Sequence, residues 1–155
     1  MMGHNLSKDV KFDPVIAYTA AGQTAVNGDA LDMSGFEGVQ FIALLGTITT
    51  ANATNLHIEM STASAGTYVD CAGSAAFFAS TQGSSSIYLV AEVYRPIKRY
   101  VRCVVDRSAV AADSVILAAW ANRYRPGSLA VAESTYSNVI DYTLVISPAS
   151  GSATG

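Results

Sequence analysis

Side chains along residues 36–48, 86–94, 99–106 and 114–124 alternate with a period of two, and an extended strand is the conformation in which that period sorts apolar from polar groups. In the first run Val39, Phe41, Ala43 and Leu45 share one side, while Gln40, Ile42 and Leu44 take the other. Apolar groups on both faces place such a strand centrally or at an interface. Ile87, Leu89, Ala91 and Val93 oppose Tyr88, Val90, Glu92 and Tyr94, and Val101, Cys103 and Val105 oppose Tyr100, Arg102 and Val104. In the last run Val115, Leu117, Ala119 and Ala121 oppose Ile116, Ala118, Trp120 and Asn122. Alanine also makes a helix a competing reading over 110–121, but Val115-Ile116 and the aromatic end favour a strand. Residues 56–60 alternate too, with Leu56, Ile58 and Met60 inward and His57 and Glu59 outward.

Weaker signals fill the intervals. An extended element is expected at 15–19, then a turn-rich stretch at 20–35 in which Asn27-Gly28 is a hairpin signal. A small-residue loop at 61–66 leads into a strand at 67–71, and 72–86 has no clear assignment beyond the pair Phe77-Phe78, one of which should be hidden. Arg125-Pro126-Gly127 ends the last strong strand, and one more strand is expected at 141–147 before a Ser/Gly/Ala tail. Seven or eight short strands with Gly, Ser, Thr and Asn loops and no long helix predict a single all-β domain, an antiparallel β-sandwich of jelly-roll-like form. The expected organisation is an N-terminal arm at 1–12, the sandwich at 13–127, and a C-terminal strand with a tail at 128–155.

Half of the 155 residues are hydrophobic and 14% are charged, against an ordinary ~25%. That composition excludes a disordered chain and suggests that apolar surface is shared between chains. No apolar run approaches the roughly 20 residues that span a bilayer, and the polar start lacks a signal core, so neither a membrane span nor a cleaved leader is expected. The net charge of −3 is unevenly spread. Residues 1–94 balance at −6, residues 95–125 at +5 and residues 126–155 at −2. The segregation predicts a basic side that meets an acidic surface, such as that of another copy. Nucleic acid is the rival partner, but a duplex binder is normally basic overall, and none is expected here.

Chemistry is hard to place. Cys71 and Cys103 form no CxxC, no histidine neighbours either, and His4 and His57 complete no local zinc pattern, so no metal is expected. Both cysteines fit buried strand positions, with a disulfide as the alternative. There is no Gly-x-Ser-x-Gly elbow and no phosphate-binding glycine loop, and Asp29 and Asp32 flank a turn that accounts for them. The expectation is therefore a protein without catalytic residues or cofactor.

The most distinctive segment is Tyr94-Arg95-Pro96-Ile97-Lys98-Arg99-Tyr100-Val101-Arg102, a strand end, a proline turn and a return strand with four bases and two tyrosines. Arg and Tyr are enriched in interfaces, which makes Tyr94, Arg95, Lys98, Arg99, Tyr100 and Arg102 candidate partner contacts, with Arg123, Arg125, Phe77 and Phe78 beside them. The alternative is that the arginine stems cover the sheet while the tyrosines pack across the hairpin.

Gly35-Phe36-Glu37-Gly38-Val39-Gln40-Phe41-Ile42, the loop ending Gly66-Thr67-Tyr68, and Tyr94-Arg95-Pro96 with Lys98-Arg99-Tyr100-Val101-Arg102 resemble the small structural proteins of tailed bacteriophages that accompany the major capsid protein. The resemblance covers residues 27–126. It implies a capsid decoration, or cement, protein with a jelly-roll-like body, made in the host cytoplasm and bound to the exterior of the virion head, where it bridges neighbouring capsomers. The implied partners are the major capsid protein and further copies of the chain in a dimer or trimer. Alternatives are a receptor- or carbohydrate-binding module of a tail or fibre, with Tyr88, Tyr94 and Trp120 as a stacking platform, and a neck or tail-completion protein.

Overall fold

The alternating runs become the long strands of two antiparallel sheets. A computed structural model describes residues 10–48, 53–79, 86–107, 114–124, 139–146 and 151. In chain order the strands are β1 (Val10–Ile16), β2 (Thr19–Gly22), β3 (Val26–Asn27), β4 (Leu31–Asp32), β5 (Gly38–Ile48) and β6 (Ala53–Ser61). They continue with β7 (Val69–Asp70), β8 (Ala76–Ala79), β9 (Ile87–Tyr94), β10 (Tyr100–Arg107), β11 (Ser114–Tyr124) and β12 (Val139–Ile146). No helix occurs among the described residues, so the 110–121 ambiguity resolves to a strand over its described part.

One sheet runs β1-β11-β5-β9-β12, with β2 continuing beside β11; the other runs β3-β10-β6-β7, with β4 also on β10 and β8 also on β6. All pairs are antiparallel except β9–β12. The molecule is a β-sandwich. β1 begins at Val10, so residues 10–12, expected in an arm, already pair with β11. The strand expected at 141–147 is β12, seated on the far edge of β9.

Neither sheet can leave its inner face in water, and the two cover one another. Val39, Phe41, Ala43, Leu45, Leu89, Ala91 and Val93 from one sheet meet Leu56, Ile58, Met60, Val101, Cys103 and Val105 from the other in a single buried cluster. These are the inward sets that period two predicted in β5, β6, β9 and β10. β11 departs from it. Ile116↔Leu45 is followed by Ala118↔Leu44, so Leu117 is an extra residue with no counterpart on β5. This bulge reverses the inward phase: Ile116 precedes it on the core side, Ala119 and Ala121 follow it there, and Leu117 turns outward.

Two expected hairpins are not hairpins. Asn27-Gly28 lies where β3 pairs with β10, and Gly28 N–H donates to Cys103 O at 2.8 Å. Glycine is needed there for close approach, since a Cβ would stand 2.8 Å from Cys103 Sγ. Likewise β9 and β10 belong to different sheets, so residues 95–99 form a corner between layers. Arg95 takes a φ of 55° at that corner, and its N–H donates to Glu37 O at 2.6 Å.

A buried arginine from each sheet ties the layers together, one at each end. Arg107 of β10 donates to Ala20 O at 2.8 Å, Thr24 O at 2.8 Å and Ser114 O at 3.0 Å, reaching β2 and β11. Arg123 of β11 donates to Asp32 O of β4 at 2.6 Å and to Asp13 Oδ2 of β1 at 2.7 Å, with its guanidinium 4.5 Å above the Phe36 ring. Thr54 and Ser114, from β6 and β11, share a buried hydroxyl hydrogen bond of 2.7 Å. Every buried side-chain polar atom among the described residues has a partner. Arg107→Met removes the donors while retaining much of the apolar stem, so urea denaturation should show a loss of about 1–3 kcal/mol for the carbonyls left unpaired.

Candidate interaction surface

Four of the seven bases of residues 95–125, Arg95, Arg99, Arg102 and Arg123, meet a carboxylate within the chain, and Arg107 is held by backbone carbonyls. Arg99 makes a two-point contact with Asp32 at 2.9 and 2.7 Å, and Arg102 meets Glu59 at 2.6 Å. Arg95 lies 3.6 Å from Glu37, and Arg123 pairs with Asp13. Each pair joins a base of the positive segment to an acid of the negative one, because β10, β11 and the β9–β10 corner lie beside β1, β4, β6 and the residues before β5, which carry those acids. Much of the segregation along the sequence thus becomes internal complementarity. The exposed pairs are screened by water and add little stability, but each sets an acid beside its base and lowers the local positive charge.

The remaining predicted contacts divide. Arg123 is only 6% exposed and holds the two sheets together, which takes it out of the accessible surface. Arg95 and Arg99 lie near the rings of Tyr94 and Tyr100, at 5.2 and 5.4 Å, and Tyr94 Oη donates to Glu37 at 3.0 Å. Tyr94 and Tyr100 therefore do not pack across a hairpin; they start and end a corner whose exposed members are Arg95, Ile97 and Arg99, with Lys98 half-buried. Phe77 and Phe78 lie on β8, which the sequence left unassigned; Phe78 packs against the core and Phe77 is exposed. Arg125 lies outside the described residues.

A different surface emerges on the outer face of the β1-β11-β5-β9 sheet. Register places Pro14, Trp120, Ile42 and Val90 in one row across four strands. Ala118, Leu44 and Tyr88 form the next row, and Phe12, 60% exposed, stands 6.3 Å from Trp120 ring to ring. Toward the other end the face turns polar: Asn122 donates to Gln40 at 3.5 Å, and Gln40 donates to Glu92 at 3.3 Å. Tyr124 spans β5 to donate its hydroxyl to Glu92 of β9. Gly38 lies beneath that ring, and a Cβ there would collide with it. The sequence signal for this face was the apolar character of both sides of β5; the row itself depends on pairing.

The opposite sheet carries a polar outer face, where His57, Glu59 and Asp70 converge although 11 residues separate Glu59 from Asp70 in sequence. Cys71 and Cys103 are both buried thiols, and burial pushes each up to about 12. They are not joined by a disulfide. A thiol held protonated is a poor nucleophile.

No protein-family model matches the chain, and no curated protein matches its sequence.

Two measurements check these assignments. Ellman's reagent should leave both thiols unmodified in the native protein and label both in denaturant. The Arg99 contact and the Ser34 N–H hold the Asp32 carboxyl at about 2, below the ordinary aspartate value of 3.8. A depressed carboxylate contributes above its unfolded value and loses that contribution as pH falls through the folded one. Carbon-detected NMR should therefore place Asp32's titration near 2, and in Arg99→Gln nearer 3.8.

Proposed function

We propose that the protein acts by binding, as a decoration protein on the exterior of a bacteriophage head, with the outer face of the β1-β11-β5-β9 sheet as the surface that meets the major capsid protein. The observation that carries the binding role is the apolar group Phe12, Pro14, Trp120 and Ile42 on the outside of a sheet whose inside is already the core, with Val90 buried at the inner end of the same row. An antiparallel sheet with one solvated face normally turns polar side chains outward, and a large outward apolar surface marks an interaction site. The assignment to a phage head rests on the resemblance of residues 27–126. Strand order supports the same reading: with β1/β2, β3/β4 and β7/β8 each treated as one interrupted strand, the first eleven strands follow the winding of a jelly roll, an architecture used by viral capsid proteins and lectins. Copies associating as a dimer or trimer and attaching at many points would stabilise the shell collectively.

The carbohydrate-binding alternative is less well served. Tyr94 lies at the Gly38 level and Trp120 at the Ile42 level, two strands apart, so about 16 Å separates them by strand rise and spacing. A compact stacking platform from Tyr88, Tyr94 and Trp120 would need them closer.

Decoration is tested by adding purified protein to heads that lack it, then imaging by cryo-electron microscopy and counting copies by mass spectrometry. Density on the head exterior is expected, with Ile42→Glu or Trp120→Ala weakening attachment at least about tenfold while circular dichroism remains unchanged. Density confined to a tail, fibre or neck, or no association, would overturn the assignment.

A further inference from the structure

The outer face of the β3-β10-β6-β7 sheet brings together three side chains that the binding role does not use. His57 and Glu59 are two apart on β6 and so project to the same side, while Asp70 pairs with Glu59 across the β6–β7 ladder. His57 Nε2 lies 3.7 Å from Asp70 Oδ1 and 3.9 Å from Glu59 Oε1, and donor atoms of all three fall within 4.8 Å of one another. These separations exceed the ~2.7–3.2 Å of a direct hydrogen bond. The two distances from His57 Nε2 lie close to the edge of a ligand tetrahedron, which bonds of ~2.1 Å set at about 3.4 Å, and rotation about the Glu59 and Asp70 side-chain torsions brings the carboxylates, within 4.8 Å of one another, onto it.

The surrounding groups are arranged as a metal's outer shell would be. Asn55, two residues back on the same face, places Oδ1 2.9 Å from His57 Nδ1. When that nitrogen donates to Asn55, the Nε2 lone pair is directed at the two carboxylates. Arg102 grips Glu59 Oε2 at 2.6 Å, leaving Oε1 turned toward His57. Tyr68 stacks on the Arg102 guanidinium at 4.1 Å and steadies it. A histidine whose second nitrogen is hydrogen-bonded, and a carboxylate whose second oxygen is held, are the supports that orient ligands toward an ion. His57 itself is 13% exposed at its side chain, so water can reach the site without flooding it.

We propose that His57, Glu59 and Asp70 bind a divalent transition-metal ion of the zinc type, with water completing the coordination. One imidazole with two carboxylates suits Zn2+ or Co2+, whereas Mg2+ and Ca2+ favour all-oxygen sets with more ligands. The ion ties β7, only two residues long, to the longer β6, and its remaining position faces outward. A spacing rule cannot find this site, because its third ligand comes from a neighbouring strand.

Isothermal titration calorimetry of the full chain with zinc chloride tests the site, with magnesium chloride as the control ion. Saturable one-to-one zinc binding is expected, together with a zinc-dependent shift of the His57 ring nitrogens in NMR spectra of the unmutated protein. His57→Gln and Asp70→Asn, each made separately and checked for folding in chelator, should each weaken binding at least about tenfold, and Asn55→Ala, which removes only an orienting group, should weaken it by ~10-fold. His4→Gln should bind as the parent does. No saturable zinc binding, an unmoved His57 resonance, unchanged affinity in folded His57→Gln or Asp70→Asn, equal affinity for magnesium, or loss of binding in His4→Gln would overturn the site.

Discussion

Mutual coverage of two sheets is the constraint on which the rest of this structure depends. A strand rich in Val, Ile, Leu and Phe cannot present an apolar face to water, and with no helix among the described residues each sheet is roofed by the other. Phe41, Leu45, Leu89, Ile58 and Val101 are among the side chains that meet in that shared interior. Once the layers are stacked, the corners, the bulge at Leu117 and the two cross-sheet arginines follow as ways of keeping them in register. Arg107 and Arg123 are buried at opposite ends and satisfy carbonyls of the facing layer, so a charged group serves where an apolar one would leave backbone oxygens unpaired.

Folding also reverses the meaning of the charge distribution. An acidic first part and a basic later part look, along the sequence, like an invitation to an external acidic partner. In three dimensions β10 and the β9–β10 corner lie against β4, β6 and the segment before β5, and Asp32, Glu37 and Glu59 receive Arg99, Arg95 and Arg102. The surface on which the proposed binding role rests is apolar instead: Trp120, Ile42 and their neighbours on the outside of the β1-β11-β5-β9 sheet. An interface built on such a face draws its affinity from excluded water and shape, with much weaker dependence on salt than one built on arginines.

Much of the fold was legible because burial in a strand is a local, periodic property. The inward residues of β5, β6, β9 and β10 are those that alternation selects, and the loop at 61–66 sits where its small residues suggested. β2, β3, β4 and β8 were not legible. They are two to four residues long, too short to show a period, and they exist only because β10, β11 or β6 offers them hydrogen bonds. The phase of β11 escaped for a related reason, since one extra residue in a ladder exchanges the faces without altering the composition of the run.

By itself the sequence determined that the chain is built of strands, which side chains most of those strands bury, and that β5 would be apolar on both faces. Each of these depends on residues within a few positions of one another. Tertiary structure alone decided that β9 and β10 part at a corner, that Arg102 answers Glu59, that Trp120 shares a row with Ile42, and that Asp70 stands beside His57 and Glu59. Those outcomes turn on which strand lies next to which, and a chain's local pattern says what a strand can bury without saying what will lie beside it.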